Sequence, residues 1–310
     1  MCIEDPDEPK DPETPHFIPA YSQKVKASKE FQTFQFDHSF VLNSLKSSME
    51  GYVFHNQPLD TDDLLEQTVK LFNSCKTSLE LFDMLHNMRA YDDSTYAHSL
   101  NVALICRRIG KWLKVDAATL DTLTLCGLLH DIGKLKIPDE ILNKPDKYTD
   151  EEFDLVKRHT KFGYELLKTL NIDPHIKKAA LLHHERCDGS GYPLKATQKD
   201  LDDFSMVVAI ADVYDAMTAA RSYRAPLCPF QVIERFEQEG LQKYKPKFIL
   251  TFLQHIASTY QNNRVLLSNG QSANIVMLNQ QHLARPIVQL NDNSCIDLST
   301  RLDLHIQSIL

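Results

Sequence analysis

Apolar residues recur at helical spacing through most of the chain. From Asp60, Leu64, Leu65, Val69, Phe72, Leu79, Phe82 and Leu85 recur at three and four, the period of a helix with one buried face. Upstream, between about 22 and 60, the pattern is weak and predicts a helix or two around "SFVLNSLKSSMEGY". A second periodic helix runs through "YAHSLNVALICRRIGKWL", with His98, Val102, Ile105, Ile109 and Trp112 on one stripe. A third, "AATLDTLTLCGLLHDIG", stops near Gly133. "PDEILNKPDKYT" reads as a loop broken by Pro138 and Pro145. "TDEEFDLVKRHTKFGYELLKTL" opens with Thr149 and Glu152 in capping-box spacing and continues as one helix. Pro174 suits the first turn of "HIKKAALLHHER". "FSMVVAIADVYDAMTA", "PFQVIERFEQE" and "KPKFILTFLQHIASTYQ" complete the helical part.

After Asn263 the period changes. "NRVLLSNGQSANIVMLN" is two short β-type runs around Asn269-Gly270, a strong hairpin signal. "RPIVQL" and "SCIDLS" predict further short strands. The expected architecture is mainly α, a helical bundle with a small C-terminal β appendage. Its divisions are an acidic start disordered over 1–20, a helical region over 21–80, a catalytic domain over 81–262 and a β extension over 263–310.

Composition narrows the function. With 310 residues, 43% of them hydrophobic and 25% charged, the chain is an ordinary globular one. No apolar run approaches the roughly 18 residues that would span a membrane. The start, "MCIEDPDEPKDPETP", is acidic and proline-rich, unlike a signal or transit peptide. That argues for the cytoplasm, as do seven scattered cysteines with no C-x-x-C pair. A formal charge of −8 opposes binding to DNA or RNA, which needs a positive surface. It leaves room for a small anionic ligand held by local arginines.

The candidate chemistry lies where polar groups interrupt apolar faces. His98 sits on an apolar stripe, and His130-Asp131 closes the third helix. His159 follows on the next, His183 and His184 on the one after, and Asp212 interrupts "VVAIADVYDAM". Taken alone, His130-Asp131 is most simply a helix-end Asp beside a hydrogen-bonded His; chance gives about one such dipeptide at this composition. Together, the histidines and aspartates offset the cost of burial only by meeting in space, and a divalent cation would help them do so. Imidazole with carboxylate suits iron, manganese or zinc rather than calcium or magnesium.

"HDIGK" at 130–134, "RHTKFG" at 158–163, "HHERCDGSGYP" at 183–193 and "AIADVYDAMTAARSYR" at 209–224 resemble the HD-GYP family. These are the cyclic-di-GMP phosphodiesterases within the HD superfamily of metal-dependent phosphohydrolases, whose fold is a helical bundle. The resemblance covers roughly residues 80 to 260. It implies a two-metal site: one cation at His98, His130, Asp131 and Asp212, the other at Asp131 as a bridge with His159, His183 and His184. Iron or manganese is favoured, with zinc or nickel as alternatives. Some members hold a third metal through a Glu four residues before the first histidine; here that position is Ser94, and two metals are expected.

A hydroxide activated between the cations would attack the phosphodiester in line, with Lys134 neutralising charge on the phosphoryl oxygens. Without the resemblance, Lys134 is as well read as a basic residue at a helix C-terminus. The resemblance places Tyr192, Arg221 and Arg224 on the dinucleotide, with Arg186 and Asp188 shaping the loop that Gly189 and Gly191 allow to turn. Read alone, Tyr192 belongs to a surface turn and the two arginines to surface ion pairs. Cys187 reads as a spacer, and His86, His175, His255, His282 and His305 as ordinary histidines. Asp215 is expected to support a ligand or cap its helix.

The implied activity is hydrolysis of cyclic di-GMP to pGpG, and on to GMP as an extension. The alternatives are a non-catalytic cyclic-dinucleotide receptor and an HD phosphohydrolase of another nucleotide. A homodimer or a regulatory protein partner would supply the control that no visible sensor domain provides.

Overall fold

The computed structural model describes residues 20–88, 94–144, 146–219 and 227–310. The acidic start, Asp92, Asp93, Arg221 and Arg224 lie outside the described residues.

The helices are α1 (Ala20–Ala27), α2 (Lys29–His55), α3 (Thr61–Ser74), α4 (Ser78–Met88), α5 (Thr95–Trp112) and α6 (Ala117–Leu129). A 3-10 turn (Ile132–Lys136) precedes α7 (Asp139–Leu142), α8 (Asp150–Lys157), α9 (His159–Leu167), α10 (Pro174–Leu182) and α11 (Asp203–Thr218). Then come α12 (Pro229–Glu239), a second 3-10 turn (Leu241–Lys243) and α13 (Pro246–Thr259). Side chains start many of them. Asp60, Ser94 and Asp116 accept the N3 backbone N–H of α3, α5 and α6, and Thr149 and Glu152 form the expected capping box. Ser94, the position of the third-metal Glu, thus caps α5.

Two helices sit at the centre because they are apolar nearly all round. α5 is buried continuously from Ser99 to Gly110, and α11 from Ser205 to Thr218. α6 lies against α5 so closely at Gly127 that a side chain would not fit. A Cβ on Gly127 would stand 2.5 Å from the Ala103 Cα. α10 and α9 stack on the other side of α6 and on the first 3-10 turn.

The chain switches to strands four residues after α13. β1 (Arg264–Leu267), β2 (Ser272–Met277), β3 (Ile287–Leu290), β4 (Cys295–Asp297) and β5 (Ile306–Ile309) form one antiparallel sheet in the order β4-β3-β2-β1-β5. Arg264 pairs with Asn274 and Leu266 with Ser272 around Asn269-Gly270, as the hairpin signal predicts. Gly270 takes a φ of +82°, which suits glycine. The sheet shares the helical core: Val265, Leu267, Ile275 and Val288 are buried with Phe230 and Tyr260.

The mainly α architecture with a small β appendage is the one expected. Several bounds differ. α2 runs through the weakly patterned region for 27 residues. The run from Leu64 to Leu85 is two helices, parted at Cys75–Thr77. The stretch read as one helix over 149–170 breaks at Arg158. The expected 138–149 loop contains α7, and β5 was not foreseen. Among the described residues, no helix is long and apolar enough to cross a membrane.

Candidate metal centre

The seven residues singled out as ligands meet in one buried centre. His98 lies in the first turn of α5, and Asp212 near the middle of α11. The other five stand where helices end. His130 and Asp131 follow α6, His159 opens α9 after the break at Arg158, and His183 and His184 follow α10. After the break, α9 packs against the 3-10 turn that follows Asp131. Gly133 makes the approach possible, since a Cβ there would come within 2.0 Å of the His159 carbonyl oxygen.

The donors fall into two sets, each with one ligand atom per residue within 4.8 Å of the rest: His98, His130 and Asp212, and Asp131, His159, His183 and His184. Asp131 faces both. Its Oδ2 lies 3.2 Å from His130 Nε2 and 3.6 Å from His98 Nε2. Its Oδ1 lies 3.3 Å from His159 Nε2 and 3.6 Å from His183 Nε2. Asp212 Oδ1 is 3.1 Å from His98 Nε2.

Hydrogen bonding behind the rings fixes what faces inward. His130 Nδ1 donates to Gly127 O (2.8 Å), His159 Nδ1 to Val156 O (2.6 Å) and His183 Nδ1 to Ala179 O (2.9 Å). Each Nε2 then turns its lone pair to the centre. For His159 and His183 the two Nε2 atoms are 3.2 Å apart, so two lone pairs oppose each other with no proton between. His130 Nε2, Asp131 Oδ1 and His184 Nε2 are also buried without a hydrogen-bond partner. Buried polar atoms left so are costly. A cation is the group that answers both features, and the donor set fits one.

The electrostatics agree. Burial pushes His159 down to about 3 and His184 well below the ordinary imidazole range, keeping both neutral as ligation requires. Burial would raise the Asp131 carboxyl, but the neighbouring His130 ring and Lys134 ammonium hold it well below the carboxylate range. Lys134 Nζ donates to Asp131 Oδ2 at 2.5 Å.

The loop after His184 is tied to the centre. Tyr192 stacks on His184, ring centroids 4.6 Å and planes 25° apart, with Phe153 edge-on at 6.4 Å. Arg186 donates to the carbonyls of His183 (3.2 Å) and Glu185 (2.9 Å) and lies over the Tyr244 ring. Asp188 accepts from the Ser190 N–H and hydroxyl. At Gly191 a Cβ would stand 2.4 Å from the Glu185 Cα and 2.5 Å from the Arg186 N.

Two residues of this centre carried no assigned contact in the sequence reading. Glu185, 3% exposed, accepts the Leu194 N–H (2.6 Å) and the Ala196 N–H (3.0 Å). Its signal was a charged residue directly after two histidines on a buried segment. Asp215 accepts from His98 Nδ1 at 2.8 Å, supporting a ligand as expected of it; its spacing of three from Asp212 places both on one face of α11.

Comparison with known proteins agrees with the fold. The HD domain family profile matches residues 63–248. The chain is 34% identical over 183 residues to the 3'3'-cGAMP-specific phosphodiesterase 2 of Vibrio cholerae, covering 58% of this chain and 35% of that one. It is 35% identical over 178 residues to a cyclic di-GMP phosphodiesterase of Thermotoga maritima, covering 56% and 48%. The chain thus spans between a third and a half of the length of these relatives. Among solved structures, Bd1817, a HDG"Y"P protein from Bdellovibrio bacteriovorus, superposes with a TM-score of 0.52 at 18% identity, covering 76% of this chain and 78% of that one; this likeness bears on fold alone. The chain belongs to the HD domain family and carries the sequence motifs of its HD-GYP branch.

Proposed function

We propose that this chain is a metal-dependent phosphodiesterase that opens cyclic di-GMP to linear pGpG, with two divalent transition-metal cations in the centre. The observation that carries the reading is the division of Asp131, one carboxylate oxygen toward each donor set. A single shared carboxylate between two nitrogen-rich sets suits a pair of cations better than one. Imidazole and carboxylate donors without a thiolate favour iron or manganese.

Such a pair, held by the two donor sets, would polarise phosphoryl oxygens and lower the pKa of a bound water. The residues supply the rest. The donor sets are built of histidine and aspartate, and in this reading the attacking group is water. Lys134, at the rim of the centre and partly exposed, would face the phosphoryl oxygens and neutralise their growing charge. Tyr192 offers the ring face away from His184 to a guanine base. Arg221 and Arg224, outside the described residues, are assigned to the dinucleotide on the motif alone, as are Arg186 and Asp188 to the shape of the loop.

The names of the relatives favour a cyclic dinucleotide, and one of them favours a second reading, 3'3'-cGAMP as substrate. A non-catalytic receptor is disfavoured by intact donor sets and a retained Lys134. The test is purified protein with Mn(II) or Fe(II) under anaerobic conditions, given cyclic di-GMP and 3'3'-cGAMP in competition, with separation of products. Preferential formation of pGpG, alone or followed by GMP, is expected. Absence of turnover would contradict the reading, and preference for 3'3'-cGAMP would replace its substrate.

A further inference from the structure

The four histidines whose Nδ1 partners are described are not held alike. His130, His159 and His183 each donate Nδ1–H to a neutral backbone carbonyl three or four residues earlier. His98 donates instead to a carboxylate, Asp215 Oδ2 at 2.8 Å. Asp215 is 2% exposed, so its charge is little screened by solvent. A carboxylate behind a ligand imidazole raises the donor strength of the opposite nitrogen and fixes its orientation.

The two sets differ in charge as well. The set at His98 and His130 has the Asp212 carboxylate in it and Asp215 directly behind, while Lys134 donates to the Asp131 oxygen on that side. With Asp131 shared, this side is the more negative of the two once His98 gives up its proton to a cation. The set at His159, His183 and His184 has three imidazoles and the shared Asp131 only. Asp212 Oδ2 approaches His184 Nδ1 no nearer than 3.8 Å. Hard divalent cations favour the position richer in carboxylate.

We infer that the two cation positions are unequal: the one at His98, His130 and Asp212 fills first and holds its cation more tightly, and Asp215, acting through His98, is the positioning residue that makes it so. This rests on the two-cation reading of the centre but not on any substrate. Loading is therefore sequential, and a protein carrying one equivalent holds it on the Asp212 side. Asp215 touches neither cation and does its work at one position only, which separates it from a residue that merely supports the fold.

The experiment titrates the metal-free 310-residue chain with Mn(II) against a chromophoric chelator, following bound equivalents and, by electron paramagnetic resonance, spin coupling between them. The native chain should show two steps, with coupling appearing only in the second. Asp215→Asn should weaken the tighter step by about 10-fold or more and leave the weaker one in place. His183→Ala should remove the weaker step and spare the tighter. Metal-free unfolding of each variant, compared with the native chain, checks that the fold is retained. Two unchanged steps in Asp215→Asn, or loss of the tighter step in His183→Ala, would overturn the inference while leaving two cations bound. A native chain that takes up one cation or none would overturn both the inference and the two-cation reading beneath it.

Discussion

Tyr192 lies flat on the imidazole of His184, 4.6 Å between ring centroids. The aromatic residue of the Gly-Tyr-Pro loop is thus packed on a candidate ligand, and the proposed function offers its other face to a substrate. Tyr192→Phe preserves the stack, so its turnover should stay within a few-fold of the native chain. Tyr192→Ala removes both contacts and should raise KM for cyclic di-GMP by about 10-fold or more, since stacking of a base contributes about 1–3 kcal/mol. Steady-state kinetics with saturating Mn(II) checks this; an unchanged KM would remove Tyr192 from the substrate site.

Glu185 ties the same loop from below. Its two oxygens take the N–H groups of Leu194 and Ala196, both charge-assisted bonds in a buried place. Glu185→Ala leaves two donors without partners and should cost about 1–3 kcal/mol in chemical denaturation. Glu185→Gln keeps one acceptor and should lose less. If both variants unfold like the native chain, the loop is held by something else.

Gly133 carries a different burden. The His159 carbonyl oxygen and the Gly163 N lie 2.0 and 2.4 Å from where its Cβ would be. Both are backbone atoms and cannot swing aside. Gly133→Ala should therefore separate the 3-10 turn from α9, cost about 1–3 kcal/mol of stability and weaken Mn(II) binding at the His159 side. Unfolding midpoints together with a metal titration read the two effects.

Much of this centre was legible in the sequence because its ligands are ionisable groups on apolar segments, and such groups are rarely placed there without a partner. The residues that orient them were less legible. Asp215 had no predicted partner because its contact is with His98, 117 positions away. Glu185 bonds backbone N–H groups, which carry no side-chain signature. The break at Arg158 was hidden because no glycine or proline marks it, and Gly163, five residues on, lies inside α9. α2 was expected around 39–52, but its full extent was hidden for a different reason. Phe36, Phe40 and Phe54 are exposed on it, which blurs the contrast between its faces. β5 is four residues long and no turn signal as strong as Asn269-Gly270 leads into it.

The metal-free protein should be acid-sensitive. Burial holds His159 at about 3, against about 6.5 in an unfolded chain. Below pH 6.5 the unfolded chain takes a proton that the folded chain refuses, so this stability is present above that pH and lost as pH falls toward 3. His183 and His184 are pushed the same way by burial. His98 opposes them: Asp212 and Asp215 raise it to about 9 despite burial, a contribution fully present below 6.5 and lost as pH rises through 9. Between pH 7.5 and 5, His159 alone removes about 2 kcal/mol and His98 returns about 1. Urea unfolding of chelator-treated protein at the two pH values should show the net loss, and equal stability would contradict the neutral, buried state of these imidazoles.

The claim beneath all of this is that Asp131 stands between two cations. Anomalous scattering from crystals of the Mn(II)-loaded protein tests it most directly. Two peaks about 3.5–4 Å apart, one on the His98–Asp212 side of Asp131 and one on the His159–His184 side, are the expected result. A loaded crystal with one peak, or with cations away from Asp131, would contradict it.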